Sequence, residues 1–106
     1  MPLRDEIAEL LRMPETGAGA PSLDTIEATL TDGYAEALAL EAERWRLERR
    51  LGEVARDAGD VSAHSVAAEL AELSGRLETA DGELTRLRSL LRNLQVRRRD
   101  LRRSRG

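Results

Sequence analysis

The chain has no cysteine, no phenylalanine and no lysine, and only one histidine, one tyrosine and one tryptophan in 106 residues. Without cysteine there are no disulfides and no thiolate metal sites, and redox chemistry says nothing about compartment. With aromatics at 2% there is too little bulky matter for a compact multilayer core. A single histidine offers no recognisable metal site, and none is expected, nor any cofactor or small-molecule ligand. No run approaches the roughly 20 apolar residues that span a bilayer. The opening Met1-Pro2-Leu3-Arg4-Asp5-Glu6 is acidic and is not followed by a long apolar stretch, so no signal peptide is expected and the cytoplasm is the expected compartment.

What the chain does have is leucine, alanine and charge: 41% hydrophobic and 35% charged residues, the composition of long helices and coiled coils. The net charge of −3 predicts no general attraction to nucleic acid. Its distribution is more informative. Residues 22–43 carry Asp24, Glu27, Asp32, Glu36, Glu41 and Glu43 and no base, and residues 44–57 lean basic through Arg44, Arg46, Arg49, Arg50 and Arg56. Residues 60–83 are acidic again against Arg76 alone, and residues 84–106 hold nine arginines and only Asp100. Folding back near Gly59 sets acid on base along both arms, whereas a parallel pairing sets like on like. The pattern predicts an antiparallel helical hairpin and opposes the parallel alternative. Every base being Arg fits either GC-rich coding or a demand for bidentate, permanently charged partners.

Apolar spacing places the elements. Leu3, Ile7, Leu10 and Leu11 share a face, so residues 3–13 form a short amphipathic helix, too short to be stable undocked. Residues 14–21, with two prolines and two glycines, form a linker. A first long helix over 24–57 has the seam Ile26, Leu30, Gly33, Ala37, Leu40, Arg44, Leu47, Leu51, Val54, Ala58, with steps alternating four and three. Asp24 resembles the start of a capping box, with Ser22 as the alternative cap. Residues 58–61 form the turn, after which Asp60 or Ser62 caps a second long helix over 62–103. Its seam is Val66, Leu70, Leu73, Leu77, Ala80, Leu84, Leu87, Leu91, Leu94, Arg98, Leu101. Folding at the turn brings small Gly33 and Ala37 toward Leu84, Leu87 and Leu91, and Leu40 or Arg44 toward Ala80, so bulk faces smallness. Gly75 and Gly82 fall seven apart on the face opposite the seam. They are either drift at solvated sites or a place for another backbone to approach.

The expected fold is therefore all-α: a single helical domain over 1–106, built as a long antiparallel two-helix coiled-coil hairpin with a short N-terminal amphipathic helix. Two helices make a thin core, so self-association into a four-helix bundle, with a homodimer as its simplest form, is also expected.

No residue pattern implies catalysis. Paired carboxylates are what any charge-rich helix presents, and His64 reads as a solvated or capping residue. Three surfaces stand out. Tyr34, Leu38 and Trp45 lie beside the seam on one face and hold both aromatics, the residue types that anchor interfaces. They dock a protein partner or are covered by helix 3–13 or a second copy. The Arg-rich end, with Arg97, Arg98, Arg99, Arg102, Arg103 and Arg105, suits phosphate or an acidic partner. The alternative is that these arginines pair with Asp24, Glu27 and the acids of helix 3–13. Aromatic stacking residues are absent near it, which argues against base-specific contact. The turn carries Asp57 and Asp60, with Glu53 a helical turn below. Asp57-Ala58-Gly59-Asp60 resembles the acidic hairpin tips of RNA polymerase secondary-channel regulators, and the resemblance implies carboxylates offered toward a catalytic magnesium. The globular or zinc-bearing domain of those families has no counterpart here. The expectation that emerges is a non-enzymatic interaction module, an adaptor, scaffold or assembly subunit, with a nucleic-acid- or ribosome-associated protein acting through residues 97–105 as the alternative.

Overall fold

The computed structural model describes residues 2–57, 59 and 62–105, the side chains of Pro2 and Arg105 excepted. Three helices account for most of them: α1 (Pro2–Arg12), α2 (Leu23–Arg56) and α3 (Ala63–Arg105). There is no strand among the described residues. The fold is an all-α antiparallel helical hairpin, α2 packed on α3, with α1 as a short third element. Every described member of the two heptad seams is buried or half-buried, so the four–three spacing is the spacing of the core.

Serine starts both long helices. Ser22 Oγ accepts from the backbone N–H of Thr25 at 3.1 Å, and Ser62 Oγ accepts from that of Ser65 at 3.2 Å. In each case the serine hydroxyl also bonds the hydroxyl three residues on, at 2.9 Å. These are N-caps, each satisfying an amide that the first helical turn leaves open. Asp24 therefore lies inside the first turn of α2 rather than at its cap, where its charge still favours the helix dipole. Of the expected turn 58–61, Ala58, Asp60 and Val61 lie outside the described residues, and Gly59 is exposed.

The chain divides into two compact units, Met1–Ala37 with Thr85–Gly106, and Leu38–Leu84. In the first unit the fully buried side chains are Ile7 of α1, Ile26 and Leu30 of α2, and Leu87 and Leu94 of α3. Gly33 is buried because Leu91 occupies its place: a Cβ there would overlap Leu91 Cδ2 and lie 3.4 Å from Cγ. The helix gives up about 1 kcal/mol of propensity at this glycine to admit a leucine into the seam. Gln95 of α3 donates its amide to the Tyr34 hydroxyl. In the linker only Gly17 takes a positive φ, 92°, which a residue with a side chain rarely adopts.

In the second unit Leu47, Val54, Val66, Leu73 and Ala80 form one cluster, with Leu51, Leu70 and Leu77 packed against it. Arg44, the charged member of the α2 seam, is half-buried and lies 3.1 Å from Asp81 and 3.2 Å from Glu48. Its guanidinium thus leaves the seam sideways into two carboxylates while its stem stays in the row.

The mirrored charges meet as the sequence implies. In the first unit the acidic start of α2 meets the basic end of α3, Glu27 with Arg102 at 2.9 Å. In the second, the bases of α2 meet the acids of α3: Arg44 with Asp81, and Arg50 with Glu69 at 2.8 Å, while Glu43 lies 3.9 Å from Arg76. The hydrogen bond and charge of Glu69 raise the Arg50 pKa above its ordinary value. These pairs are exposed and screened by solvent, so each contributes little to stability. Their consistent sense opposes the parallel pairing more than it stabilises the antiparallel one.

Candidate interaction surfaces

The outer face of α2 carries the largest exposed apolar side chains. In the second unit Leu38 is 67% exposed and Trp45 57% exposed. They lie seven residues apart on one helix face. The Arg49 guanidinium lies over the indole with its Cζ 4.8 Å from the ring centroid, a cation–π contact one turn along the same face. In the first unit Tyr34 is 40% exposed, with its hydroxyl taken by Gln95. Within that unit helix α1 docks through Ile7 and Leu10. Val96 of α3 is a further exposed apolar residue, 50% accessible, that the spacing rules did not single out.

The basic end divides between two tasks. Arg97 is half-buried and donates three hydrogen bonds to main-chain carbonyls at the end of α1: Leu10 at 2.7 Å, Leu11 at 2.9 Å and Met13 at 2.9 Å. Helix α1 stops before Pro14 and has no C-terminal glycine turn to satisfy its last carbonyls. A planar, multiply donating guanidinium does so instead, with its positive charge on the negative end of the helix dipole. Sequence reasoning set acid side chains of helix 3–13 against these arginines; at Arg97 the acceptors are backbone carbonyls. The signal was a short helix running into proline with no residue of its own to end it. Arg102 pairs with Glu27. Arg98 is half-buried, Arg99 and Arg103 are exposed, and the Arg105 side chain lies outside the described residues.

At the hairpin turn Asp57 is exposed and its amide donates to the Glu53 carbonyl at 3.0 Å. Asp60 lies outside the described residues. His64 is exposed in the first turn of α3. Among the described residues no group of three or more histidine, aspartate or glutamate side chains is placed to hold a metal ion, and no helix is long and apolar enough to cross a membrane. Gly75 and Gly82 have open space where a Cβ would stand.

Set against models of known protein families, curated proteins and solved structures, the chain matches none.

Proposed function

We propose that the chain is a non-enzymatic coiled-coil interaction module, an adaptor, scaffold or assembly subunit, that binds a protein partner or itself through the outer face of α2; on composition, its compartment is the cytoplasm. The observation that carries this reading is the exposure of Leu38 and Trp45, at 67% and 57%, on a helix whose opposite face is already packed into a seam. Large apolar groups cost free energy in water, and buried tryptophan is among the side chains that concentrate binding energy at interfaces. The arginine over the indole extends the anchor with a side chain that stacks and donates at once.

The alternative, phosphate recognition through residues 97–105, has less to draw on. Arg97 and Arg102 are engaged within the chain, which leaves Arg99 and Arg103, among the described side chains, as exposed bases of that end. Salt separates the two readings, because binding through several phosphate contacts falls steeply as salt rises and an apolar anchor does not. The test is capture from native lysate by the tagged chain and by its Trp45→Ala variant, at low and high salt and after nuclease treatment. The proposal expects a protein retained at high salt and lost with Trp45→Ala. Material held only at low salt, released by nuclease and indifferent to Trp45→Ala, would move the function to the arginine end.

A further inference from the structure

The exposed face of α2 carries a second heptad row, distinct from the seam that packs on α3. Ala28, Thr31, Ala35, Leu38, Ala42 and Trp45 follow one another at steps of three and four, and all six are exposed. The row begins at acidic Asp24 and ends beyond Trp45 at Arg49, Gly52 and Arg56, still in step. α2 is one uninterrupted helix across this span. The two rows lie on opposite faces of one helix, and each has the spacing that packs on a neighbouring helix. For the seam that neighbour is α3.

We propose that the neighbour of the exposed row is α2 of another copy of the chain, paired antiparallel across a two-fold axis beside Ala39 and Glu41. The proposal rests on the reading of this face as an interaction surface and names its occupant.

Size and charge select the occupant together. With the axis there, each layer sets a position of one kind against its complement, as antiparallel helices require. Leu38 lies over the partner's Ala42, and Trp45 over the partner's Ala35, so each bulky group meets an alanine and the helices approach without voids or clashes. At the rims Asp24 meets the partner's Arg56, and on one flank Asp32 meets the partner's Arg46. Among the described residues none of these four makes an ion pair within its own chain. Among the described residues these charges are left over, Asp24 and Arg56 at the two ends of the row and Asp32 and Arg46 on its flank. Other acids of α2 are occupied: Glu27 by Arg102, Glu43 beside Arg76, Glu48 by Arg44, Glu53 by Arg50, and Glu41, beside the axis, is engaged within its own chain. Sliding the pair by one heptad sets Leu38 on Arg49 and Asp32 on Glu53. A parallel pair sets Asp32 against the partner's Glu27. Sliding the antiparallel pair one heptad the other way keeps bulk on alanine, Leu38 on Ala35 and Trp45 on Ala28, but sets Asp32 beside Ala39 and Arg46 beside Thr25 and so loses the flanking pair. The register centred beside residues 39–41 keeps size and charge together, and two-fold symmetry forms each contact twice.

The test uses the full chain, whose lack of cysteine makes introduced thiols unambiguous. Sedimentation equilibrium is expected to give a concentration-dependent dimer. Ala42→Glu, at an exposed site, is expected to halve that mass while the helical circular dichroism of the chain stays unchanged. Ala28→Cys and Gly52→Cys, co-refolded and oxidised, are expected to cross-link as a mixed pair, and neither variant to cross-link alone. Cross-linking of Ala28→Cys alone would make the pair parallel and overturn the proposal, as would a dimer that survives Ala42→Glu. A wild-type chain that is monomeric at every concentration would overturn it too. If that monomer still captures a protein through Trp45, the interaction reading stands with a foreign occupant; if it captures nothing, both fail.

Discussion

Replacing Arg97 with alanine is expected to release α1 while leaving the hairpin folded. Arg97 supplies three hydrogen bonds of 2.7–2.9 Å to Leu10, Leu11 and Met13, all from one charged group in a half-buried position. Bonds to charged groups contribute about 1.5–3 kcal/mol each in favourable settings. Three on one guanidinium are not additive and are partly screened, so a total of about 2–4 kcal/mol is the reasoned value. The 11 residues of α1 are too few to hold a helix in water unaided, so a loss of this size populates an undocked, unwound state. Helices α2 and α3 hold 34 and 43 residues, so the helical circular dichroism signal should fall by about one-eighth and no further. Hydrogen exchange is the sharper assay. Amides of residues 6–12 should lose protection in Arg97→Ala, while the cluster around Leu47 and Leu73 keeps it. Arg97→Lys should be intermediate, because an ammonium keeps the charge without the planar fork. Wild-type protection of α1 in Arg97→Ala would refute the clasp.

Glycine gives a contrast of sign. Gly33→Ala should destabilise by about 1–2 kcal/mol, because overlap with Leu91 outweighs the gain in helix propensity, whereas Gly75→Ala and Gly82→Ala should each stabilise by about 0.5–1 kcal/mol in urea unfolding. Trp45→Ala should change stability by less than about 0.5 kcal/mol, since the indole is 57% exposed, and should remove association; a large stability loss would mean that Trp45 serves the fold. Arg44→Leu should be neutral or stabilising by up to about 1 kcal/mol, since its pairs with Asp81 and Glu48 are half-exposed and a leucine continues the seam. A clear loss of stability in that variant would give the Arg44 pairs more weight than screening allows.

The two seams and their direction were legible because they depend on spacing and sign. A four–three alternation has one physical solution for a chain of leucines, and the placement of acid and base chooses between parallel and antiparallel. Gly33 was legible too, since a glycine in a row of leucines has to admit something, and Leu91 fills it. Other features depend on contacts that spacing does not encode. The cap of α2 is Ser22 rather than Asp24, because both types cap well and the choice is set by where the chain leaves the linker. The clasp at Arg97 joins residues 84–87 positions apart through carbonyls, which carry no side-chain signature. For the same reason the sequence marked Arg97 as one base among many in a run. The surface pattern on α2 lies in between. Tyr34, Leu38 and Trp45 are visible as apolar residues off the seam, but how far each is exposed, from 40% at Tyr34 to 67% at Leu38, is set by packing that spacing does not encode.

Trp45 is the only tryptophan in the chain, so its fluorescence reports on the surface in question without labelling. The decisive measurement is its emission maximum and iodide quenching across a wide range of protein concentration, read beside sedimentation. The account predicts a blue shift and loss of quenching as the chain associates, with Ala42→Glu holding the exposed emission throughout. Association with Trp45 emission unchanged would mean that the chain pairs through another face, and would contradict the role given to α2.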